Sequence, residues 1–211
     1  MFMAAHSSSL KAHPVREVWT SHRRSLVRGF ALVAPGALAF NTYFIFMPNH
    51  LVATSDREPS AALLTAVLGL LCAAVAGLSL GALSDRVGRR PVVVSSVALL
   101  TVGAVPIALS ALSGSLWGLI LADIAAGAVI GGVFSFSALA ELFPTGVRGT
   151  GLAMTAGLAS AVVGGTGPFV DQVLFQVTGF ALAPTLYIVS VAGVALVVVW
   201  SWPETAFRDL A

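Results

Sequence analysis

Charged side chains are absent from six long stretches of this chain. No Asp, Glu, Lys or Arg occurs in residues 29–55, 59–84, 91–122, 124–140, 149–170 or 172–203. A helix rising about 1.5 Å per residue needs about 20 apolar residues to cross about 30 Å of hydrocarbon. All six stretches meet or nearly meet that length. Backbone amides inside a bilayer must be satisfied within the chain, so the stretches predict helices, and no period-two alternation points to a membrane barrel. The expected spans are 27–50, 60–82, 91–110, 116–140, 150–174 and 182–202. Breaker residues separate them: Pro59 with Ser60, Gly88 with Pro91, Ser113-Gly114-Ser115, Phe143-Pro144-Thr145-Gly146, and Gly179. The predicted class is an all-α membrane protein with a basic leader (1–25), a six-helix bundle (26–203) and a short tail (204–211).

Composition agrees with this reading. Hydrophobic residues make up 57% of the chain and charged residues 9%, whereas a soluble domain is about a quarter charged. The few charges orient the bundle. Lys11, Arg16, Arg23, Arg24 and Arg28 precede the first span; Arg86, Arg89 and Arg90 lie in the second connection; Arg148 lies in the fourth; Arg208 lies in the tail. Ten of the eleven basic residues therefore share one side, and only Arg57 falls on the other. The positive-inside rule places that side, and both termini, in the cytoplasm, with the protein in the cell (inner or plasma) membrane. The net charge of +2 is thus an orientation signal rather than a nucleic-acid footprint. The stretch 11–28, with Val15, Val18, Trp19 and Leu26 interleaved, reads either as an interfacial helix on anionic lipid or as an unstructured cationic leader. A secretory signal peptide fits poorly, because the first apolar run starts late and is too long. The single cysteine, Cys72, permits no internal disulfide and reads as a small packing residue.

The interior of the spans carries more than an anchor needs. Gly77 and Gly81 are four apart, as are Gly127 and Gly131, a spacing that lets helix backbones approach. The run Gly164-Gly165-Thr166-Gly167-Pro168 should loosen the fifth span, as a substrate path or as a plain kink. Asp123 lies inside the fourth span on the same face as Gly127 and Gly131. An ionised Asp at the bilayer centre costs at least about 2.5–3.5 kcal/mol. It reads either as a proton carrier or substrate contact, or as a carboxylate hydrogen-bonded to a neighbouring helix. Asp171, near the outer end of the fifth span, reads as functional or as a solvated helix end. In the first span, Asn41 needs a partner or a wet cavity, and Tyr43 and Phe46 could touch a small solute; ordinary helix–helix contacts are the alternative. His50 reads as an interfacial residue. No His or Cys set has metal-ligand spacing, no cofactor is implied, and no Walker loop or nucleophile elbow gives an enzyme reading a starting point.

With these residues in view, the chain resembles the major facilitator superfamily. Gly81-Ala-Leu-Ser-Asp85-Arg86-Val-Gly88-Arg89-Arg90 is similar to its short cytoplasmic loop motif, which follows the second and the eighth helices of such transporters. Ala140-Glu141-Leu-Phe-Pro144-Thr-Gly-Val-Arg148-Gly-Thr-Gly151 resembles the loop between the tenth and eleventh helices. With Gly164–Pro168 it has the form found in the metabolite:proton symporter family, which includes alpha-ketoglutarate, citrate, shikimate and proline/betaine permeases. Ala39-Phe-Asn-Thr-Tyr43 through Met47-Pro48 and Leu51 resembles the seventh helix. The resemblance covers about residues 14–205 and implies a C-terminal six-helix half built of two three-helix repeats. It also implies that Asp85 docks on a helix of the other half. Gly81 and Gly88 permit the tight turn of the loop, and Arg86, Arg89 and Arg90 hold it at the headgroups.

The function expected is that of half a secondary transporter, coupling protons to symport of a small organic acid or zwitterion by alternating access. Its partners would be the solute, protons, the lipid bilayer, and a second six-helix half or a second copy of itself as a homodimer; nucleic acid is not among them. A membrane scaffold or interaction protein, or a truncated reading frame without transport, are the alternatives. No Lys or Arg lies within any expected span, so a dicarboxylate solute would need its arginine from the other half.

Overall fold

The computed structural model describes residues 14–54, 58–134 and 136–201. Residues 1–13, Arg57 and the tail 204–211 with Arg208 lie outside the described residues, so the orientation drawn from their charges has no structural counterpart. Among the described residues, six helices are long and apolar enough to cross a membrane: span I Arg23–Thr54, span II Pro59–Val87, span III Arg89–Ala111, span IV Leu116–Ala140, span V Thr145–Thr178 and span VI Ala183–Trp200. Among the described residues there is no strand. Spans I, II, III and V run beyond their expected limits at both ends. Long basic side chains explain this at the basic ends of spans I and II, because Arg23 and Arg86 can reach water from a helix that has not yet left the hydrocarbon.

The closest contact in the bundle joins spans II and IV, which both run towards the basic end. Thr65, Gly69, Ala73 and Gly77 recur every four residues on span II, and Asp123, Gly127 and Gly131 do so on span IV. A Cβ built at Gly127 would collide with the carbonyl of Gly69, and one at Gly131 with the carbonyl of Ala73. A Cβ at Gly69 would meet the carbonyl of Asp123 at 2.5 Å. The two backbones therefore touch with no side chain between them. The glycine register differs from the one expected. Gly77 belongs to the seam, but a Cβ added at Gly81 would meet nothing within 4 Å; the seam runs outward from Gly77 to Gly69 instead. Gly81 also lies within the helix and does not shape the loop. The turn between spans II and III is made at Gly88 alone, whose φ of 112° suits glycine.

Span I is the hub. It contacts each of the other five spans. It contains a π-helical turn at Thr42–Phe46, and span V contains another at Ser160–Gly164. Each lies just before a proline, Pro48 and Pro168. Proline lacks an N–H and its ring crowds the carbonyl four residues earlier, so the preceding turn widens to rehouse its carbonyls.

At the basic end, Arg89 turns inward rather than reaching the headgroups as expected. Its Nε donates to Glu141 at 3.0 Å and its Nη1 to Ser84 at 2.6 Å, while an ion pair of 2.5 Å joins it to Asp85. The cause is Glu141, a half-buried acid that needs a cation close by. Asp85, expected to dock on another half, is 61% exposed and pairs within its own chain. Arg90 donates to the carbonyl of Trp200, and Arg148 to the carbonyl of Phe143. Phe143 is buried, and a Cβ at Gly151 would enter its ring. Pro144 starts the short turn Thr145–Val147 that opens span V. The segment Pro14–Ser21 is a helix, not an irregular leader. Its Val18 is fully buried with Val147 and Leu26, while Val15 and Trp19 face outward. This helix thus docks on protein by one face.

Gly127→Ala should lower the melting temperature of the purified protein in detergent by several degrees, as overpacking costs about 1–3 kcal/mol. Gly157→Ala, where a Cβ meets open space, should leave it unchanged or slightly raised. Equal melting of the two variants would refute the backbone contact.

Candidate functional site

The π-turn of span I sends three consecutive residues to different neighbours. Thr42 Oγ1 donates to Asp171 Oδ2 of span V at 2.7 Å. Tyr43 Oη donates to the carbonyl of Ala104 on span III at 2.7 Å. Phe44 lies against Gly69 of span II, where an added Cβ would come within 2.6 Å of its ring. An ordinary helical turn spreads successive side chains by about 100° each. The widened turn lets all three reach inward.

Two buried carboxyl groups flank this turn. Asp171 is fully buried, and its Oδ1 has no hydrogen-bond partner among the described residues. This corrects the solvated-helix-end reading: Thr42 reaches it across the I–V interface because Gly164 and Gly167 bring span V onto Ala37, Leu38 and Asn41. Asp123 is 2% exposed, and its Oδ2 has no hydrogen-bond partner among the described residues. It lies beside the Thr65 hydroxyl, at the outer end of the II–IV glycine seam. Thr65 also donates to the carbonyl of Ala62 at 2.9 Å. Both carboxyls sit seven residues from the end of their spans remote from the basic loops. No group of three or more His, Cys, Asp or Glu side chains gathers among the described residues.

The other expected residues fall differently. Asn41 donates to the carbonyl of Ala37 one turn back at 2.8 Å, and its side chain meets Gly164 and Gly167. It is a joint between spans I and V. Tyr43 is buried and tied to span III, so its hydroxyl is committed to packing. Phe46 is buried and stacks on His50, 5.4 Å between ring centres, and His50 meets the edge-on ring of Phe175 at 4.4 Å. His50 is thus part of the I–V contact, half-buried four residues from the outer end of span I. Sequence reasoning passed over Thr65 and Gly69. Their signal was present, since 65, 69, 73 and 77 keep the four-residue period of 123, 127 and 131. The loop residues Gly81, Asp85, Arg86, Gly88, Arg89, Arg90, Glu141, Pro144 and Arg148 all lie at the basic end, far along the bundle axis from the carboxyls.

Comparison with known proteins adds the family context. A family model described as Sugar (and other) transporter matches residues 1–211. The chain is 34% identical over 181 residues to an ectoine/proline transporter of Corynebacterium glutamicum, covering 83% of this chain and 36% of that protein. It is 28% identical over 195 residues to the alpha-ketoglutarate permease of Escherichia coli, covering 89% and 44%. It is 29% identical over 172 residues to a citrate-proton symporter of Klebsiella pneumoniae, covering 75% and 36%. The chain therefore spans less than half the length of these relatives, 36% to 44%.

The Thr42–Asp171 bond makes an asymmetric prediction. Thr42→Val removes the donor and leaves a buried carboxyl with neither oxygen satisfied, costing about 1–3 kcal/mol. Asp171→Asn keeps a polar partner for Thr42 and should cost less. Thermal melts in detergent should rank T42V below D171N, and the reverse order would show that the bond contributes nothing.

Proposed function

We propose, from the premise that this chain belongs to the sugar (and other) transporter family of the major facilitator superfamily, that its six helices form the C-terminal half of a secondary transporter. The solute would be a small zwitterion or organic acid, and protons would drive its symport. The relatives named for ectoine/proline, alpha-ketoglutarate and citrate-proton transport support this solute class and coupling. The basic end, with the Arg89–Glu141 contact, would face the cytoplasm.

The observation that carries the proposal is the pair of buried carboxyls, Asp123 and Asp171. A scaffold gains nothing from them, since each places at least one polar oxygen in the bundle without a partner, at a cost of about 1–3 kcal/mol. A transporter uses such a group as a site that changes occupancy. Thr65 has one hydroxyl hydrogen, which its rotation can give to the carbonyl of Ala62 or to an ionised Asp123. The Asp123–Thr65 contact would therefore close as a hydrogen bond when the carboxyl is ionised and loosen when it takes up a proton. That change sits at the outer end of the II–IV seam, beside Phe44 and the π-turn of span I. A proton arriving from the outer side would relax this end, and its release towards the basic side would tighten it. Asp171 would do the same at the I–V interface through Thr42.

The path for solute would lie between this bundle and a second six-helix body, either the other half of the transporter or another copy of this chain. Spans II and V have the least buried faces in the bundle, with Leu64, Leu71, Leu78, Phe169 and Val177 exposed, and so offer surface to lipid or to that body. Rocking of one bundle against the other would then alternate access.

Proteoliposomes containing this chain, alone or together with the N-terminal six helices of a relative, test the proposal. With the outside acidified, labelled proline, ectoine, alpha-ketoglutarate or citrate should accumulate, faster as outside pH falls. D123N should flatten that pH dependence and abolish uphill accumulation while leaving exchange of solute. Absence of accumulation in both arrangements overturns the transport reading; unchanged pH dependence in both D123N and D171N overturns the assignment of the carriers.

A further inference from the structure

One groove of the bundle lies apart from the buried carboxyls. Between spans I and VI, with Val163 of the span V π-turn at its floor, runs a crevice of about 420 Å³. Its walls are apolar: Phe30, Ala31 and Pro35 on one side, Val191, Val194 and Ala195 on the other, with Ser190 as the one polar side chain. It continues at the basic end into a second hollow of about 300 Å³, and Val27 and Val198 line both. The rim of that second hollow is Arg23, Arg24 and Arg28. Arg23 commits one donor to the carbonyl of Trp19. Arg24 and Arg28 have no ion pair or hydrogen bond among the described residues. The first turn of span I holds no acidic residue. Three cations therefore crowd the positive end of a helix, an arrangement that the helix dipole opposes and that an anion would relieve.

We infer that this crevice is a binding site for one anionic phospholipid, its phosphate on Arg24 and Arg28 and an acyl chain in the slot between spans I and VI. The geometry selects the ligand class. The occupant must be anionic at one end and apolar over about two helical turns, since Val27 and Val198 mark the headgroup end and Ser190 and Pro35 the deep end. A soluble anion would leave the slot unfilled, and a helix from another chain would bring no anion to the arginines. Basic pockets between spanning helices on the side facing the anionic leaflet bind lipid headgroups in this way. The slot also reaches Val163, so a seated acyl chain lies against the bulge that lets span V bend. This inference does not depend on transport, because binding is measured without solute.

The test uses the purified chain in neutral detergent, titrated with phosphatidylglycerol or phosphatidylcholine of identical acyl chains, with bound lipid read by native mass spectrometry. Phosphatidylglycerol should bind more tightly than phosphatidylcholine. The R24Q/R28Q variant should bind phosphatidylglycerol about thirtyfold more weakly, at about one charge contact's worth per arginine, with phosphatidylcholine unchanged. R28Q alone should lose about fivefold and serves if the double variant does not fold. Val194→Trp, which fills the slot, should weaken both lipids. Arg16→Gln, an exposed arginine of the leading helix away from the rim, should change nothing. Equal binding of the two lipids, an equal loss in R16Q, or full binding in V194W would each overturn the site. A detergent-resistant dimer whose crosslinks run through Val194 would instead assign the groove to a second copy.

Discussion

The contact between spans II and IV is the constraint from which the rest of the bundle follows. Lipid tails are as apolar as leucine, so a bilayer offers little hydrophobic drive for two helices to meet. Association then depends on close packing and on polar contacts. Glycine at 69, 127 and 131 removes every side chain that would hold these backbones apart. The pair that results is stiff, because dispersion between touching backbones falls off within a fraction of an ångström. Span III packs on span IV, and span VI packs on span III, so these four form a layer behind which span I is caught.

The I–V interface is built on a different principle. Both helices carry π-turns ahead of a proline, and both meet through small residues, Ala37 against Gly164 and Leu38 against Gly167. A widened turn stores an irregular hydrogen-bond register, and one-turn shifts of such registers are low-cost compared with pulling apart a backbone seam. The polar contacts at this interface are few: Thr42 with Asp171, and the stack of Phe46, His50 and Phe175. The bundle therefore has one rigid seam and one jointed seam, each with a carboxyl at its outer end.

Much of this was legible in the chain, for definite reasons. The spans follow from charge-free stretches because a bilayer punishes isolated charge at every position. The loosened fifth span follows from Gly164–Pro168. The bulge in span I did not emerge, although Pro48 is its cause. A single proline near the end of an apolar run reads as a terminus, and only the continuation of the helix to Thr54 turns it into an interior proline. The seam register was misjudged for a related reason. Gly77 and Gly81 share a spacing with Gly69 and Gly77 once Ala73 is counted, and spacing alone cannot say which face meets a neighbour. Arg89 was assigned to the headgroups because charge pattern reports which end of a helix is basic. It does not report that Glu141, fifty residues away, folds back to claim one of those cations.

The different stiffness of the two seams bears on the roles of the two acids. A change of protonation at Asp123 acts against a seam that cannot open, so its effect is confined to the Thr65 contact and the adjacent Phe44 ring. A change at Asp171 acts on Thr42, which sits within a π-turn, across an interface without backbone interlock. The same chemical event thus gives a local response at one carboxyl and a displacement of span V against span I at the other. On the transporter reading, Asp123 suits the holding of a proton and Asp171 the coupling of that proton to movement. Gly69 connects the two, because the lack of a side chain there lets both the ring of Phe44, two residues from Thr42, and the carbonyl of Asp123 close on the same glycine. A bulkier residue at position 69 would lift Phe44 and widen the turn that carries Thr42, so the acids are linked through one absent methyl group.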